Sequence, residues 1–135
     1  FAHRGMYIFF GKVALFFSPQ TKEDKFAENV DVVAEDLRKA GEVTLLDYHR
    51  RAIAQAPQTL QDFELVEESQ GVVAGHDAIQ ALYIAVVKGE VFRFKTYTLV
   101  VGKTAYVLTY KGRKDDFERF LPDAEKLMQS LRVSP

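Results

Sequence analysis

An α+β fold, in which a central antiparallel sheet lies between helices as an α/β/α sandwich, is predicted by three features of this sequence. Residues 78–110 are β-rich and are broken only by Gly89-Glu90 and Gly102-Lys103. Two-residue Gly-X links favour tight hairpins, so the region reads as a meander. Each of its three runs carries apolar residues at both odd and even positions, so both faces of the sheet need cover. Two amphipathic helical patterns, one before the meander and one after it, supply that cover.

The elements are justified in order. Tyr7 to Phe17 is rich in Tyr, Ile, Phe and Val and reads as extended. Gly11 interrupts it and marks a bulge or a turn between two short strands. Ser18-Pro19 ends it, and polar Gln20 to Lys25 follows as a loop. Val30 to Val33 centres a second strand, favoured over helix by the β-branched Val-Asp-Val-Val run. Thr44 is a good N-cap, with Asp47 three residues on. Leu45, Tyr48, Ala52, Ile53 and Ala56 then share one helical face, with His49 on the same stripe, and Pro57 is expected to stop the helix. Phe63 to Val66 is a short strand, and Gly71 and Gly75 bracket Val72-Val73-Ala74.

The hairpins fix a register. A turn at Gly102-Lys103 pairs Val101 with Thr104, Leu99 with Tyr106, Tyr97 with Leu108 and Lys95 with Tyr110. A turn at Gly89-Glu90 pairs Lys88 with Val91, so that Leu82 faces Tyr97 and Ile84 faces Lys95. After the meander, Phe117, Phe120, Leu121, Ala124, Leu127, Met128 and Leu131 form a strong helical stripe, with Asp115 and Asp116 at its start. Pro122 interrupts the pattern, which is best read as a first short turn followed by a main helix with Pro122 near its first position.

Composition narrows the function. The 135 residues suit a single domain, 1–135, whose length supports a core without staples. A net charge of −1 argues against a dedicated nucleic-acid binder. No apolar run approaches the roughly 20 residues of a membrane span. The absence of Cys excludes disulfides, thiolate metal sites and a Cys nucleophile. The chain starts at Phe1 rather than Met, so the lack of a leader segment carries no weight.

No group of residues forms a catalytic motif. His3, His49 and His76 are scattered, and His49 reads as a histidine at the edge of the core. His76 sits in Gly75-His76-Asp77, which turn chemistry accounts for. Of the carboxylate groups, Asp31/Glu35/Asp36 and Glu64/Glu67/Glu68 read as solvated edges, and Asp115/Asp116/Glu118 as a helix start. Gly71-Val-Val-Ala-Gly75 lacks the ending of a phosphate loop and no helix follows it. Lys111, Arg113 and Lys114 read as a solvated basic loop. No catalytic, cofactor-binding or metal site is therefore expected.

Three stretches, in this order, carry a resemblance. They are Phe16-Phe17-Ser18-Pro19 through Asn29-Val30-Asp31-Val32-Val33, then Val72-Val73-Ala74-Gly75-His76-Asp77-Ala78, then Ala105-Tyr106-Val107-Leu108-Thr109-Tyr110 with Phe117, Leu121-Pro122, Met128, Ser130-Leu131-Arg132-Val133. Together they resemble the PsbP-like superfamily, including its DcrB-like bacterial branch, over residues 13–133. The resemblance implies an antiparallel sheet between helices and a mostly non-enzymatic role. Members include photosystem accessory proteins, a nuclear import regulator, envelope lipoproteins and chaperones for secreted toxins. It carries over no catalytic residue and favours the cell envelope or periplasm over the cytoplasm. Relative to that pattern the chain is short at its N-terminus.

The expected function is a non-catalytic binding or accessory module acting through a protein partner, of the envelope-accessory or secretion-chaperone type. The alternative is a small-ligand carrier or enzyme with a pocket between sheet and helix. Phe9 and Phe10 are the candidate partner-binding residues. Adjacent rings on a strand point to opposite faces, and an unpaired first strand offers an edge for a partner or for self-association.

Overall fold

The computed structural model describes residues 13–17 and 29–132. Among these residues six strands and two helices follow in the order β1 (Val13–Phe17), β2 (Asn29–Asp36), α1 (Leu45–Thr59), β3 (Gln61–Val73), β4 (His76–Val87), β5 (Glu90–Val101), β6 (Thr104–Arg113) and α2 (Phe117–Gln129). They form one sheet of order β1-β2-β6-β5-β4-β3, antiparallel throughout. The meander therefore extends one strand further back than the sequence indicates. β3 and β4 join through Ala74-Gly75, both at positive φ, which closes Val73 on His76. Phe9, Phe10, His3 and the Gln20–Lys25 loop lie outside the described residues.

The register explains why the sheet needs two covers. Val30 and Val32 of β2, Leu108 and Tyr110 of β6, and Tyr97 and Leu99 of β5 share one face. All six are buried in a single cluster with Phe117, Ala124, Leu127 and Met128 of α2 and with Leu131 just beyond it. The Tyr110 hydroxyl donates to the Phe117 carbonyl at 2.9 Å, pinning the start of α2 to the sheet. The opposite face carries smaller residues under α1, with Ala81 and Ala85 on β4 and Thr96 and Thr98 on β5, all buried. Small side chains let the helix lie close to the strands. Below its end, Ala85, Phe92 and Phe94 form a second cluster with Leu60, Tyr83 and Val87.

Every pair expected from the Gly102-Lys103 turn is present. The preceding turn is displaced by one residue. It falls at Lys88-Gly89, closing Val87 on Glu90, so Leu82 faces Lys95 and Ile84 faces Arg93 rather than Tyr97 and Lys95. Both central residues have positive φ, 53° and 80°, and a primed turn with Gly second meets that requirement better than one with Gly first. The displacement shifts each pairing by two, so no side chain changes face.

Both helices pass through the prolines expected to end or start them. α1 continues past Pro57 to Thr59, because the proline lies in its last turn, where one lost backbone bond is cheap. α2 is continuous from Phe117, with Pro122 inside it. An interior proline costs about 3 kcal/mol, and the buried stripe on both sides of it outweighs that. Thr44 caps α1 as expected, accepting from the Asp47 N–H at 3.1 Å. Asp116 stands at the N-cap of α2 but makes no capping bond with its side chain, which binds Arg113 at 2.9 Å instead. Lys111 and Arg113 belong to β6 rather than to a basic loop, and Lys111 Nζ lies 4.7 Å from the Phe92 ring centre.

Candidate functional site

An open groove of about 730 Å³ lies between the first turns of α1 and the outer strand β3. Thr44, Leu45, Leu46 and His49 wall it on the helix side. The strand side is Glu68 to Val72, with Asp77 to Ile79 of β4 behind. Among the described residues β3 is the last strand of the sheet, and no described strand lies beside its outer row of backbone donors and acceptors. Leu46 and Val72 are 47% and 58% exposed, high values for large apolar side chains. Among the described residues neither Lys nor Arg lines the groove, whereas Glu68 and Asp77 do.

One polar pair anchors this wall. His49 projects from the inner side of α1 and is 3% exposed. Its Nε2 pairs with Oε2 of Glu68, whose side chain remains 43% exposed at the groove. A buried imidazole without a partner would be costly, so the pair fixes α1 on the sheet edge. Among the described residues no hydroxyl hydrogen-bonds to His49. The nineteen-residue separation of His49 and Glu68 hides the pair from any local motif.

The other side chains singled out in the sequence do not converge. Glu35 accepts from the Tyr48 hydroxyl at 2.7 Å, and Asp36 is held by Arg38 at 2.6 Å. The Arg38 contacts keep the Asp36 carboxyl below its ordinary pKa. Asp31 points to the α1 side of the sheet, where burial raises its pKa to about 6 against the opposing pull of Lys111. Tyr97 also finds a carboxylate, Glu125 of α2 at 2.8 Å, but on the opposite face from His49. Lys95 joins that carboxylate in an ion pair. Burial disfavours the Lys95 ammonium, yet the Glu125 bond and charge outweigh it and raise the pKa. This network sews α2 to β5. Gly71 leaves room for the Tyr97 ring, because a Cβ there would lie 3.2 Å from Cε1. No group of three His, Asp or Glu side chains able to hold a metal occurs among the described residues.

No protein-family model matches the sequence, and no curated protein matches it. Solved structures do. The cyanobacterial PsbP (CyanoP) of Synechocystis sp. PCC 6803 superposes with a TM-score of 0.59 at 15% identity, covering 79% of this chain and 68% of that one. The chain has the PsbP-like fold. The expected α/β/α sandwich is thus present both in the sheet itself and in its likeness to CyanoP. A protein of unknown function from Pseudomonas aeruginosa, PA94, described as a putative regulator, matches with a TM-score of 0.75 at 19% identity over 93% of this chain and 85% of its own. LpqN of Mycobacterium tuberculosis, involved in cell envelope biogenesis, gives 0.53 at 14% identity, over 93% and 86%. Within the described residues no helix is long and apolar enough to cross a membrane.

Proposed function

We propose that this PsbP-like domain is a non-catalytic accessory module that binds a protein partner, as an envelope accessory protein or a secretion chaperone does. The observation that carries this reading is the groove between α1 and β3, where exposed Leu46 and Val72 flank an edge of the described sheet. A small-ligand carrier would need a cavity closed on most sides. This groove is open along the outer strand, which suits a polypeptide better than a small molecule. Among the described residues no nucleophile is hydrogen-bonded to the His49–Glu68 pair, which supports binding over catalysis.

Phe9 and Phe10, which lie outside the described residues, are proposed as a second contact. Changing Phe9 or Phe10 to Ser is expected to weaken self-association or partner capture while leaving Tm nearly unchanged. Unfolding on either change would make the ring core and remove that surface.

The groove is tested by capture from cells that contain the full-length protein. Leu46→Ser with Val72→Ser should abolish recovery of a stoichiometric partner without lowering Tm, and Val33→Ser, at an exposed site away from the groove, should not. Equal recovery by all three proteins would reject the groove.

A further inference from the structure

The outer strand is built in two unlike halves. Between Gln61 and Glu67 its pairing with β4 breaks twice, and Asp62 stands at φ 52°. Such irregularity keeps another strand from adding to an edge. From Glu67 to Val73 the pairing runs without interruption against His76 to Leu82. That regular half presents about 23 Å of strand edge, and it is the half that borders the groove. The protection is therefore absent where the apolar and acidic groove begins.

Charge selects what fits there. β3 contains Asp62, Glu64, Glu67 and Glu68 and no Lys or Arg. In the regular half Glu68, Gln70 and Val72 point to the α1 side, and Glu67, Ser69 and Gly71 to the other. A strand laid along this edge would set alternate side chains into the groove against Val72 and Leu46. Its remaining side chains would lie beside Glu67. A second copy of the same edge would bring Glu67 and Glu68 against their own kind, which like-charge repulsion disfavours.

We propose that residues Glu67 to Val73 take up an extended cationic-apolar segment of a partner protein as a seventh strand, with apolar side chains in the groove and Lys or Arg side chains beside Glu67. This rests on the reading of the groove as a protein-binding site and names the partner's chemistry. Backbone bonds along the edge supply affinity, and the alternating side chains supply selection.

The probe is a capped octapeptide of alternating Lys and Val, with an alternating Glu and Val peptide as its counterpart. Hydrogen exchange of the folded domain is followed by NMR. The Lys–Val peptide should slow exchange at outward amides of residues 67–73, and the Glu–Val peptide should not. Glu67→Lys with Asp77→Lys should weaken Lys–Val binding at least tenfold and admit the Glu–Val peptide. Both sites are exposed, and retained Tm shows that the variant is folded. Equal binding of the two peptides, protection confined to another edge, or no protection would overturn the inference. So would protection of 67–73 that rises with protein concentration alone, which would place a second copy there. A partner captured through Leu46 and Val72 that leaves 67–73 exchanging freely would keep the groove and remove the added strand.

Discussion

Asp31→Asn is expected to stabilise the protein, and only above mildly acidic pH. Asp31 sits on β2 with its side chain on the α1 face of the sheet, paired across to Thr109 of β6. Burial is the dominant influence and raises its pKa from 3.8 to about 6, with Lys111 pulling the other way. The fold thus holds the proton more tightly than the unfolded chain does. Below about pH 3 the carboxyl is neutral in both states and costs nothing. As pH rises from about 3 to 7 the unfolded chain ionises first, so stability falls, and above about 7 the loss is complete at about 3 kcal/mol. Asn has similar shape and no charge to desolvate. The difference between variant and wild type should be near zero at about pH 3 and reach roughly 2–3 kcal/mol in favour of Asn at about pH 7.5. Urea denaturation of both proteins at several pH values measures it, and subtracting one curve from the other cancels most contributions of the remaining carboxylates. A variant no more stable than wild type at pH 7.5, or a difference that does not change between pH 4 and 7, would refute the reasoning.

Three further perturbations follow from the packing. Leu127→Ala and Leu131→Ala, both fully buried, should each cost about 2–5 kcal/mol in denaturant melts, and losses below half a kcal/mol at both would detach α2 from the core. Thr44→Ala removes the cap of α1 and should cost about 1 kcal/mol, with helix loss visible by circular dichroism near the melt. Gly71→Ala presses a methyl against the Tyr97 ring at 3.2 Å and should cost about 1–3 kcal/mol. Tyr97→Leu should relieve that cost in a double-mutant cycle.

Much of the fold was legible because the sheet and α2 are periodic. Two-sided apolar strands demand two covers, and Leu127, Leu131 and Val30 to Val33 fall where their pattern places them. β3 was mostly hidden for the reason that it sits at an edge. Its side chains are largely exposed, its bulges break the alternation, and Phe63 to Val66 is the part that reads as a strand. The prolines misled because local cost was weighed without the burial around it. The groove was legible only in its parts. The helical stripe puts His49 toward the core and the acidic run puts Glu68 at a solvated edge, but their meeting depends on α1 crossing from β2 to the far edge of the described sheet. Leu46 and Val72 become informative only once β3 is seen at the edge of the described sheet, which no spacing in the sequence records.

The central claim is that the groove beside β3 receives a protein partner, and site-specific photocross-linking tests it most directly. A photoreactive side chain is placed at Val72, at Leu46, or at Val33 as the distant exposed control, in cells containing the full-length protein. The account predicts one discrete cross-linked partner from positions 72 and 46 and none from 33. The same yield from all three positions, or no adduct at 72 and 46 from a protein with unchanged Tm, would contradict it.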